Sequence, residues 1–111
     1  MEREWYAVKG LFRWYFKSDG STDSVEERVL LFLASNFDEA LAMAESEAQV
    51  YCADDPKANF SIESMGWWDA YRVEEEPSSG VEVYSRLSKT SLSADAFIRR
   101  YYPRSHDEHV V

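Results

Sequence analysis

The sequence predicts a small two-layer α+β domain. Its sheet is four-stranded and mainly antiparallel, in the order β-β-α-β-β-α, with one main helix packed on one face and a short C-terminal helix. Three observations carry that expectation. Residues 5–16, WYAVKGLFRWYF, alternate with period 2: the even positions are uncharged, and the odd ones mix apolar bodies with Lys9 and Arg13. A strand with one buried face reads this way. Residues 36–53 open on a helix cap and continue with helical spacing. Two later stretches, 59–73 and 81–89, again have strand composition and are joined by an acidic turn.

Each element follows from its residues. KSDGSTDS at 17–24 is polar and carries Gly20, which suits a hairpin turn. VEERVLLFLAS at 25–35 alternates at first and is then apolar on both faces over 29–34, as in an inner strand. Asn36 and Glu39 form a capping box, and Asp38 and Glu39 suit the positive end of a helix dipole. Phe37, Leu41, Ala44, Ala48 and Tyr51 share one helical stripe, and the many alanines let the helix sit close to the sheet. Asp54, Asp55 and Pro56 stop it.

In 59–73, Gly66 breaks the strand register and predicts a bulge or a close backbone approach. Trp67 and Trp68 are expected on opposite faces, one in the core and one on the surface. After the turn at 74–80, Val81, Val83, Ser85 and Leu87 alternate against Glu82, Tyr84 and Arg86, a fourth strand forming a hairpin with the third. Ser93 caps a closing helix over 93–102, with Asp95 in its first turn and Arg99 and Arg100 near its end, before Pro103. The single domain is expected over 1–104, with 105–111 a flexible tail.

Composition narrows the function classes. A chain of 111 residues has the length of one domain. The single cysteine, Cys52, forms no internal disulfide and reads as a bland thiol. The charged start, MEREW, lacks the apolar core of a secretory signal, and the apolar run at 29–34 is far too short to span a membrane. The expectation is cytoplasmic, with no membrane partner. The net charge is −9, and residues 18–85 carry sixteen acids against only Arg28, Lys57 and Arg72. So acidic a surface repels phosphate backbones, which argues against nucleic acid.

Several segments together point to a family. WYAVK, ERVLLF before an acidic Ala-rich helix, GWWDAY, GVEVYS and LSADAFIRRYY occur in that order. The ensemble resembles the small bacterial domain of unknown function 4288. Leu33 stands where that pattern leads one to expect a polar residue, and Trp67 and Trp68 are bulkier than its aromatic pair. The resemblance implies a small bacterial α+β domain, with no activity and no catalytic residues to carry over.

The residues themselves offer little chemistry. His106 and His109 spell HxxH, but without a third ligand they read as incidental, and with no histidine elsewhere a Ser-His or Cys-His pair inside the fold is ruled out. No glycine-rich phosphate loop is present. No catalytic residue, metal or cofactor is expected. Asp69, set among aromatics, reads as a carboxylate bonded to Arg72, Arg28 or a backbone amide, with a buried acid tuned upward by desolvation as the alternative.

The aromatic surplus is the strongest functional signal: four Trp, seven Tyr and six Phe exceed what one small core readily absorbs, and such residues anchor interfaces. The predicted interaction face comprises Trp5, Leu11, Arg13, Tyr15, Trp67, Trp68 and Asp69. The expected role is a non-enzymatic protein-interaction module, either self-associating as a homodimer or acting as an immunity-like inhibitor that docks on a basic partner. The alternative is a small-ligand or enzymatic site near Trp67, Trp68 and Asp69. The odd face of the first strand is equally open to cover by a second helix or by its own cationic stems.

Overall fold

The computed structural model describes residues 2–85, 87 and 89–103. The expected tail at 105–111, with His106 and His109, lies outside the described residues. The elements are β1 (Glu4–Phe16), β2 (Thr22–Ala34), α1 (Phe37–Tyr51), β3 (Phe60–Val73) and α2 (Ala94–Tyr101). The sheet has three strands in the order β2-β1-β3, both pairings antiparallel. The aromatic stretch is therefore its central strand.

Alternation in β1 has the predicted consequence. Tyr6, Val8, Gly10 and Phe12 are buried on the even face, beneath α1. Asn36 caps α1 by accepting from the Glu39 amide at 2.8 Å, while the Glu39 carboxylate reaches back to the Ser35 amide at 3.3 Å. The buried stripe of α1 is Ala40, Ala44 and Ala48, three small side chains that bring the helix axis close to the sheet. Phe37, expected on the stripe, is 47% exposed and covers the end of the core with its ring edge-on to Tyr6 at 4.9 Å.

Gly66 does break the register of β3. Gly10 pairs with Trp68 and Phe12 with Ser64, so Met65, Gly66 and Trp67 together stand opposite Leu11. Gly66 takes φ 71°, a conformation costly for residues with a Cβ, and its amide donates to Ser64 Oγ at 3.1 Å. The bulge sends Trp68 to the even face against the core, while Trp67 is left 45% exposed. Gly10 is required for a different reason. The Trp68 indole lies over it, where an added Cβ would meet Trp68 Cζ3 at 2.6 Å.

Among the described residues the fourth strand is not formed, and the four-stranded expectation is corrected to three. Residues 81–85 pair with no strand. They pass over the odd face, where the Tyr84 ring lies 5.3 Å from that of Tyr71 and the Lys9 ammonium 5.4 Å from that of Tyr84. The physical cause is a covering requirement. A lone helix covers only one face, and Ala7, Tyr71 and Val73 on the other also need removal from water. Period-2 alternation reports a one-sided apolar segment; it does not report whether the backbone finds a sheet edge or lies across a face. Helix α2 stands on the odd-face side, across a cleft of about 460 Å³ bordered by Lys9, Glu27, Tyr84 and Phe97.

Candidate interaction face

The odd face of the sheet divides into a roofed half and an open half. On the roofed half, over β1 and β3, Ala7 is fully buried, and Trp5, Lys9 and Leu11 are half-buried. Lys9 is held by Glu27 at 2.9 Å and by the Tyr84 ring above it. Between β3 and the 80–85 segment runs a cleft of about 540 Å³, lined by Tyr71, Glu74, Val81 and Tyr84. The Tyr71 hydroxyl is buried with no hydrogen-bond partner. Burial, with the Tyr84 and Asp69 charges adding to it, pushes this phenol up to about 12.

The open half belongs to β2. Its odd-face positions Val25, Val29 and Leu33 are 47%, 43% and 37% exposed; half-buried Leu31 joins Val29 to Leu33, and the exposed Glu27 separates Val25 from them. Val25, Val29 and Leu33 sit opposite Arg13, Lys9 and Trp5 of β1. Leu11 lies between Glu27 on one side and the Trp67 bulge on the other. Leu11 and the exposed Trp67 therefore lie across the Lys9–Glu27 ion pair from Val29 and Leu33.

Of the residues expected to form the interaction face, the structure brings Trp5, Leu11, Arg13 and Tyr15 together along the odd side of β1, each half-buried. Asp69 shares that side, exposed and opposite Lys9 in the ladder. Its expected partners are engaged elsewhere: Arg28 pairs with Glu47, and Arg72 with Glu4 and Glu74. Trp68 belongs to the other side, edge-on to Phe12 at 6.1 Å. The exposed Val25, Val29 and Leu33 escaped the sequence reading because the apolar run at 29–34 reads as an inner strand. No signal in the sequence marks β2 as an edge; the strand order β2-β1-β3 does.

A second organised constellation lies on the helix side. Glu26 Oε1 accepts from the Tyr51 hydroxyl at 2.6 Å and from Trp14 Nε1–H at 3.3 Å. Arg28 donates two bonds to Glu47, at 2.9 and 3.2 Å, and its guanidinium stacks 3.5 Å from the Tyr51 ring centroid. Burial, then the bond to Glu26, pushes the Tyr51 phenol up to about 12. Burial likewise raises the Cys52 thiol, which keeps it protonated at neutral pH. Every polar group in this cluster has its partner inside the fold, so its chemistry is that of a clamp between β2 and α1. Glu26 and Arg28 at i, i+2 and Glu47 and Tyr51 at i, i+4 were visible in the sequence; that the pairs face one another was not. Among the described residues, no three His, Cys, Asp or Glu side chains gather as metal ligands. No helix among them is long and apolar enough to cross a membrane.

Residues 5–85 match the family model of the domain of unknown function DUF4288. The chain belongs to that family. The DUF4288 span takes in nearly all of the sheet, α1 and the 81–85 segment that roofs the odd face, and it ends before α2. The LSADAFIRRYY segment, part of the resemblance seen in the sequence, lies beyond it. No curated protein and no solved structure matches this DUF4288 chain.

Proposed function

We propose that the chain is a non-enzymatic protein-interaction module whose contact surface is the open half of the odd sheet face. The observation that carries this reading is the exposure of Val25, Val29 and Leu33 on one face of an edge strand. Water-facing Val29 and Leu33, joined by Leu31, are stabilised by a covering surface, and apolar patches mark contact sites. The ligand-site alternative loses support from the bulge: Trp67 and Trp68 face opposite sides, so with Asp69 they do not converge on one cavity. The acidic surface, at net charge −9, fits a cytoplasmic chain docking on a basic partner, an immunity-like role that requires binding to weaken as salt rises.

The test is a triple variant, Val25→Ser, Val29→Ser and Leu33→Ser, compared with the natural chain in light scattering and in capture of partners on an immobilised column. Because all three side chains are exposed, the fold is expected to persist, as circular dichroism checks. Loss of association in the variant supports the reading; identical behaviour of the two chains refutes it.

A further inference from the structure

We infer that the open edge of β2 is a self-pairing edge, which joins two copies of this chain into a continuous six-stranded sheet with a two-fold axis at Leu31. The inference rests on the interaction reading above and names its partner as a second copy. Among the described residues, no strand pairs with the outer side of β2. Natural edge strands are protected by proline, bulges or inward-pointing charge. The β3 edge has such protection in the Gly66 bulge and in Glu63, Asp69 and Arg72. The second half of β2, VLLFLA at 29–34, has no charge, proline, glycine or bulge.

Register chooses the symmetric solution. An antiparallel pair related by a two-fold axis normal to the sheet keeps both odd faces on one side, so its centre must fall on a residue. Centred at Glu27, two like carboxylates stand opposite each other, a destabilising cross-strand pair. Centred at Val29, Glu27 faces Leu31 and Glu26 faces Phe32. Centred at Arg28, two like guanidiniums meet. Centred at Leu30, Glu27 faces Leu33 and Arg28 faces Phe32. Centred at Phe32 or Leu33, the ladder is cut short because β2 ends at Ala34. Centred at Leu31, Leu31 meets its own copy, Val29 meets Leu33 and Leu30 meets Phe32, with Arg28 beside Ala34 at each end. Every cross-strand pair from 29 to 33 is then apolar. Both α1 helices lie on the same side of the joined sheet, and the two exposed Val29–Leu33 rows become neighbours.

Each copy carries net charge −9, so the copies repel and screening must strengthen their association. A basic partner would show the opposite salt dependence. The experiment is sedimentation equilibrium of the full chain across a concentration and salt series, for the natural sequence, Leu31→Lys, Leu31→Glu and an equimolar mixture of the two variants. The natural chain is expected to move toward dimer as salt and concentration rise, each variant to remain monomeric, and the mixture to regain dimer through a Lys–Glu pair at the axis. A natural chain that stays monomeric throughout, a dimer that survives in both single variants, or a mixture that stays monomeric beside a dimeric natural chain overturns the Leu31-centred edge. If a charged residue at 31 unfolds the chain, Leu31→Cys in a Cys52→Ser background replaces it: a self-linked disulfide dimer on mild oxidation supports the pairing, and its absence overturns it. A monomer that still captures a partner through Val25, Val29 and Leu33 overturns the edge and leaves the interaction reading standing.

Discussion

Replacing Gly10 with alanine probes how tightly the helix-side core is closed. Gly10 is buried in the central strand, paired with Arg28 on one side and Trp68 on the other. A Cβ there would stand 2.6 Å from Trp68 Cζ3 and 3.0 Å from both Trp68 Cε3 and Phe12 Cε2. The indole is a rigid plate, so it must tilt as a body and give up its edge-on contact with Phe12. Three contributions set the magnitude. Alanine gains about 0.5–1 kcal/mol over glycine within a strand. Overpacking costs about 1–3 kcal/mol. Loss of the ring pair costs about 0.5–1.5 kcal/mol more. The net is a destabilisation of about 2 kcal/mol, or roughly 10 °C in Tm for a domain of this size. Urea titration of Gly10→Ala measures it directly. In a Trp68→Ala background the clash with the indole is gone and the Phe12 ring can give way into the vacated space, so the same substitution should be neutral or mildly stabilising, with a coupling of about 2 kcal/mol between the sites. Gly10→Ala at least as stable as the natural chain, or equally costly in both backgrounds, would refute the packing argument.

The two adjacent tryptophans should separate cleanly. Trp68→Ala removes a ring packed on the core and should cost about 2–4 kcal/mol, whereas Trp67→Ala, at an exposed bulge position, should cost under about 1 kcal/mol in the same titration. Ala44→Leu should destabilise by about 1–3 kcal/mol by forcing α1 off the sheet, read as a lowered Tm; a neutral result would mean that the helix has room to spare. Tyr51 links pH to stability. Its phenol rises from 10.0 in the unfolded chain to about 12 in the fold, so its contribution is complete below pH 10 and is lost as pH climbs through 12. Ultraviolet titration should show tyrosines ionising late, and Tyr51→Phe should remove one of them and flatten the fall in stability across that window.

Much of the fold was legible in the sequence. Strand β1, the cap at Asn36, the bulge at Gly66 and the cap at Ser93 each depend on residues within a few positions of one another, and local chemistry settles such features. The alanines of α1 announced a close helix, although the buried stripe runs through Ala40 rather than Phe37. The candidate face was legible only in part. Trp5, Leu11, Arg13 and Tyr15 share a side because strand alternation requires it, and Trp67 and Trp68 split for the same reason. Which of the two tryptophans is buried depends on the phase of β3 against β1, set by a pairing more than fifty residues away in the chain.

By itself the sequence determined the central strand, the main helix, the turn chemistry, the acidic surface and the family resemblance, because composition and short-range periodicity encode them. Only the tertiary structure decided three things. It laid residues 81–85 across a face instead of along an edge, made β2 the outer strand, and left Val25, Val29 and Leu33 facing water. All three depend on which surfaces compete for cover. An apolar segment is stabilised equally by an edge neighbour, a roof or a partner chain, since burial has no direction. The choice among them is made only when the whole chain has folded and its surfaces have competed for cover.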